Sequence, residues 1–197
     1  MRFDDERYEE IKLAATELLC GLGAGHYPLD VRWLVERMGV QLVEYSSLPE
    51  PDRARMLALE PDGCTACLVD SPGRKGHRIA YNDSVDFSRQ RFTLLHEIGH
   101  VVLGHKQSSE LAEAEANFFA KFAIAPPALV NLIKPTDYMD IAIVFGTSAE
   151  CAYYCMSYYR KWSIYAPKNA EYERMLLKQF TCTGEGGGVM LRREKGA

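Results

Sequence analysis

The 197-residue sequence has little of several things, and each shortage excludes a class of protein. Six cysteines are too few for a disulfide framework, the usual staple of small secreted domains. Basic residues hold no surplus: 23 Lys and Arg face 27 Asp and Glu, a formal charge of −4. That balance argues against direct nucleic-acid binding, which leaves a basic patch or stripe. No run of about twenty apolar residues stands out, so no membrane span is expected. The opening "MRFDDERYEEIKLAA" is acidic and lacks the apolar centre of a secretory signal, which makes the cytoplasm the expected location. No internal repeat is present. The remaining composition, 47% hydrophobic and 25% charged, is that of an ordinary globular chain long enough to bury a core.

Cys64 and Cys67 stand as CxxC in "GCTACLVD". A zinc knuckle needs a second ligand pair at matching spacing, and none follows, so the two read as small thiols on a strand. Cys151 and Cys155, one helical turn apart among apolar residues, read the same way.

The pattern of elements is helices, a small sheet, then helices. Ile11, Ala14, Ala15, Leu18 and Leu19 give helical spacing over Asp4 to Leu22, stopped by "GLGAG". "YPLDVRWLVERMG" predicts a second helix. "VQLVEYS", "ARMLALE", "CTACLVD" and "HRIAYN" are short apolar or alternating runs between turn signals, predicting three or four strands. Helices are then expected over Ser88 to Leu103, Ser108 to Ala125, Pro127 to Leu132, Asp137 to Phe145, Ser148 to Trp162 and Ala170 to Phe180. The expected class is α+β: a small mixed or antiparallel sheet, a core built on the histidine helix, and a C-terminal helical region. The expected division is a core over 1–134, a helical region over 135–182 packed on it, and a tail over 183–197.

"RFTLLHEIGHVVLGH" carries the chemistry. "HEIGH" matches HExxH, and residues four apart share a helical face, so His96 and His100 can direct two imidazoles at one ion. Glu97, about 100° round the helix, is placed to act on water as a base rather than to ligate. The bland alternative, two histidines on an exposed face, is disfavoured by Phe92, Leu95, Gly99, Val102 and Leu103, which mark a buried helix. A catalytic zinc takes a third protein ligand. His105 is a poor one: in HExxHxxGxxH sites Gly and His fall where this chain has Leu103 and Lys106. His105 is expected at the helix end, near the terminal carbonyls. In "SSELAEAEANFFAKFAIAPP", Glu113 and Asn117 lie four apart and can face the histidine helix together. Glu113 is the favoured third ligand, Asn117 a hydrogen-bond partner for a ligating imidazole, Glu115 the alternative ligand and Glu110 a weaker one. The contrary reading makes all three acids a solvated helix face.

These segments resemble the ImmA/IrrE metallopeptidases. The resemblance rests on "HRIAYND", on the order RFT-x-x-HE-x-GH, and on E-x-x-A-N-x-F-A ending in proline. It is clearest over Arg78 to Pro127. It implies a zincin-like core and a gluzincin-like site, with His96, His100 and Glu113 as zinc ligands and Glu97 as catalytic base. It also implies a metalloprotease, a zinc-dependent endopeptidase, whose protein substrate is a helix-turn-helix transcriptional repressor, cleaved to derepress stress or mobile-element genes. One departure is "FAIAPP", where the family commonly has Leu-Leu-Met-Pro; it changes packing without removing a chemical group.

For holding the oxyanion, Tyr81, His77 and Tyr138 are candidates by residue type alone. Two readings from other classes compete. "DIAIVFGTSAECAYYCMSYYRKW" has the outline of a helix-turn-helix, yet its second helix carries Arg160 and Lys161 only at its end, and phosphate contacts need basic side chains along the docking face. The other is a non-catalytic, zinc-containing partner-binding module, against which the intact Glu97 argues.

Overall fold

The computed structural model describes residues 4–59, 78–107, 109–166 and 170–181. Helix α1 (Asp5–Leu22) starts at Asp4, whose carboxylate accepts from the Arg7 amide, and ends at Gly23 in the left-handed conformation. Helix α2 (Val31–Arg37) follows, capped by Asp30. Strand β1 (Gln41–Glu44) leads through a 3-10 turn to α3 (Glu50–Leu59), and β2 (Arg78–Tyr81) lies beside β1. Then come α4 (Phe87–Val102), α5 (Glu110–Ile124), α6 (Pro127–Ile133), α7 (Tyr138–Phe145), α8 (Ala149–Tyr165) and α9 (Glu171–Thr181).

The described part of the sheet differs from expectation in the direction of its strands and in one segment. Among the described residues it has two strands, and they run parallel, with Gln41 opposite Arg78 and Glu44 opposite Tyr81. Of "ARMLALE", residues 54–59 are not a strand but the body of α3. Its apparent alternation is outweighed by Ala, Arg, Met and Leu, all good helix formers. The preceding "PEPD" forms the helix start: Pro51 sits in the first turn with Glu50 and Asp52, where acids suit the helix dipole. "GCTACLVD" with Cys64 and Cys67, together with His77, lies outside the described residues.

The core is continuous from α1 to α9. Ile11, Leu19, Leu34, Ile79, Leu95, Ile98, Phe119, Leu129, Phe145, Ala152, Leu176 and Phe180 all belong to one buried cluster, and Cys151 and Cys155 pack within it. The stretch Glu110–Ile133, α5 and α6 together, is long and apolar enough to cross a membrane, but 67% of its most apolar window is buried inside the fold. Helices α7 and α8 form a helix-turn-helix pair around Gly146, whose carbonyl accepts a hydrogen bond from the buried Arg91 guanidinium of α4. The arginine of the RFT segment thus fastens the C-terminal helices to the histidine helix.

The candidate metal centre

Helix α4 is the platform. Asp86 caps it by accepting from the Ser88 amide at 2.8 Å. Gln90, one turn in, donates to the carbonyls of Asp83 (3.1 Å) and Val85 (2.8 Å), fixing the turn that leads from β2. Leu94, Leu95 and Ile98 anchor its inner face in the core. Its most extensive partner is α5, and Gly99 sets their approach. A Cβ there would stand 3.2 Å from Ala116 Cα and 3.2 Å from Phe119 Cβ. Gly99→Leu is therefore expected to force the helices apart, costing roughly 1–3 kcal/mol, the usual penalty for overpacking. Urea unfolding checks this, and unchanged stability would contradict the close approach.

That approach brings Glu113, in the first turn of α5, over the histidines of α4. His96 Nε2 lies 3.0 Å from His100 Nε2, and the Glu113 carboxylate lies 3.2 Å from the former and 3.6 Å from the latter. Among the described residues these three offer donor atoms within 4.8 Å of one another. Four-coordinate zinc, with ligands at about 2.0–2.1 Å, holds its donor atoms roughly 3.3 Å apart. Two imidazoles and a carboxylate at these spacings fit such an ion in both chemistry and scale. Burial first, and then the neighbouring His96, pushes the His100 imidazole below its ordinary pKa, which favours the neutral form that can ligate. Glu97, next to His96 on the same helix, is buried at 5% exposure.

The other sequence candidates fall elsewhere. Glu110 is exposed at the start of α5. Glu115 is buried, not part of a solvated face, and it accepts from Arg7 Nε at 2.7 Å and Arg7 Nη2 at 2.6 Å. The Arg7 guanidinium, chiefly, holds the Glu115 carboxyl below its usual range. Asn117 is half-buried on α5, and it is His105 whose ring stands behind His100, with Nδ1 2.9 Å from His100 Nδ1. His105 does not use its ring on helix-end carbonyls: the backbone N–H takes the His100 carbonyl, and ring Nε2 meets Glu115 Oε2 at 2.9 Å. Sequence reasoning missed this chain of contacts, for Arg7 and Glu115 are 108 residues apart. Tyr81 donates its hydroxyl to Glu44 Oε1 on the adjacent strand at 2.8 Å, and burial, then that bond, raises its pKa well above the ordinary phenol value. Tyr138 packs edge-on against Tyr153 of α8.

A comparison with the curated proteins returned no match. Residues 36–157 match the family described as Peptidase_M78, IrrE N-terminal-like domain, a span that contains β1, β2, α4 and α5 with the whole histidine and glutamate cluster. With well over half of its length matched, and with the metallopeptidase character that this domain carries, the chain belongs to the ImmA/IrrE family.

Proposed function

We propose that the protein is a zinc-dependent endopeptidase with a zincin-like core. The observation carrying this reading is the convergence of His96, His100 and Glu113 beside a buried Glu97. His96 and His100 would hold the ion, and Glu113 would add the anionic donor. When bound, zinc supplies Lewis-acid polarisation of the scissile carbonyl and makes water acidic enough to react near neutral pH. Glu97 takes a proton from the attacking water and passes it to the departing amine. Family analogy, and its position in the chain just before α4, support β2 as the strand that an extended substrate peptide would pair with.

The substrate we propose is a helix-turn-helix repressor encoded beside this protein, cleaved in the cytoplasm to release stress or mobile-element genes. Family resemblance is the support for that choice. The test is incubation of the two purified proteins. A discrete repressor fragment that a chelator suppresses and added zinc restores is the expected result. An intact repressor under every condition would remove it as substrate, and no metal in the purified protein, even after zinc is supplied, would end the peptidase reading.

The helix-turn-helix pair α7–α8 has its own expected outcome. The inner face of α8 is committed to the core through Ala152, Cys155 and Met156, and its outer face presents Glu150, Tyr153 and Tyr154. With acid and aromatic side chains where phosphates would sit, no gel shift is expected at low ionic strength. A complex that weakens steeply with salt would revive the DNA-binding reading.

A further inference from the structure

We propose that His105, Glu115 and Arg7 form a positioning relay behind His100, fixing which nitrogen of that imidazole carries its proton. The proposal deepens the metal-centre reading and rests on it for its consequence. It does not need that reading for its geometry.

The relay starts at a helix end. Gly104, at φ 71°, ends α4 in the left-handed conformation. Its N–H bonds to the Val101 carbonyl at 3.3 Å, and the N–H of His105 reaches back to the His100 carbonyl at 3.0 Å. This pair of bonds is a Schellman closure, and it folds the chain back upon its own last turn. The His105 ring is thereby delivered beside the His100 ring, centroids 5.0 Å apart and planes at 72°. Helix α5 contributes Glu115 and α1 contributes Arg7, so three separate elements converge on one side of His100.

The proton positions follow from the donor inventory. A guanidinium only donates, so Arg7 leaves Glu115 an ionised acceptor. An acceptor facing His105 Nε2 requires the proton there. A neutral His105 then has a bare Nδ1, and the group 2.9 Å away, His100 Nδ1, must supply the hydrogen. His100 with its proton on Nδ1 has its lone pair on Nε2, which is the nitrogen beside His96 and Glu113. The opposite arrangement would set two lone pairs against each other at His105 Nε2 and Glu115. With His105 neutral, each bond in the chain has one consistent direction, ending with a lone pair aimed at the cluster. The chain is also well sheltered, with side-chain exposures of 14% for His100, 11% for His105 and 7% for Glu115. Partners of this kind orient an imidazole and raise its basicity, and their loss weakens metal binding by about 10–100-fold.

The experiment pairs ring-nitrogen NMR of the metal-free protein with zinc affinity measured by chelator competition. In the wild type, His100 is expected to carry its proton on Nδ1; a proton on Nε2 would overturn the relay without any variant being made. His105→Asn keeps an acceptor near the Nδ1 position, whereas His105→Phe keeps the bulk and loses the acceptor. The relay predicts zinc binding weakened about 10–100-fold in His105→Phe, with His100 no longer a single tautomer, and largely restored in His105→Asn. A merely structural histidine would treat the two alike or favour Phe, and either result rejects the proposal. Glu115→Gln retains an oxygen acceptor and is expected to keep the wild-type tautomer. Because tautomers are read without metal, failure of the relay and failure of the zinc reading give different results.

Discussion

Replacing Glu97 with Gln is expected to leave zinc in the protein and to lower turnover by about 10²–10⁴-fold, the contribution typical of a positioned general base. A carboxamide matches the shape of the carboxylate but cannot take a proton from water. Glu97 is buried and shares α4 with both histidines, while the ligand cluster itself consists of His96, His100 and Glu113. Metal content and fold should therefore survive the change. The checking measurement is kcat on the cleaved substrate alongside zinc per chain. A variant within tenfold of wild-type activity would remove Glu97 from the base role, and loss of zinc would mean that it ligates.

Glu113→Ala should have the opposite signature. Its carboxylate is the one anionic donor in the cluster, and its side chain is 44% exposed at the first turn of α5. Zinc affinity is expected to fall by more than about 100-fold, beyond the range found for partners that only support a ligand. The metal-free protein should unfold at nearly the wild-type temperature, because half-exposed ion pairs contribute on the order of 0–1 kcal/mol. Elemental analysis of both proteins, prepared in parallel, gives the answer. Zinc retained at one per chain would exclude Glu113 as a ligand, and neither Glu115 nor His105, both committed to other contacts, is placed to substitute without rearrangement.

The helices were legible in the sequence because apolar spacing, caps and glycine stops agreed with one another. Asp86, Ser109, Asp137 and Ser148 each cap the helix that the periodicity predicts. Strands β1 and β2 were legible too, but their parallel pairing was not, since strand partners are set by contacts that short apolar runs do not encode. α3 shows the ambiguity: a short run of Ala, Met and Leu suits either state until its neighbours decide. At the site, HExxH and the spacing of Glu113 from Asn117 named the residues that converge, as local periodicity can. The contact of His105 with His100 was not legible, because it depends on a backbone reversal beyond the helix end. Gly104 was the available signal for that reversal. Arg7 had none, for nothing local links it to a carboxylate 108 residues away.

The long-range ion pair also separates two notions of a unit. The family match begins at residue 36, whereas α1 supplies Arg7 to Glu115 and puts Ile11, Ala15 and Leu19 into the common core. At the other end, α9 lies beyond residue 157, yet Phe180 packs on Tyr27 at 4.9 Å and Gln179 donates to the Ala24 carbonyl. The stretch that the family model matches is therefore smaller than the stretch that folds. The cluster of His96, His100 and Glu113 lies inside the matched stretch, but the chain that carries it closes around it from both ends.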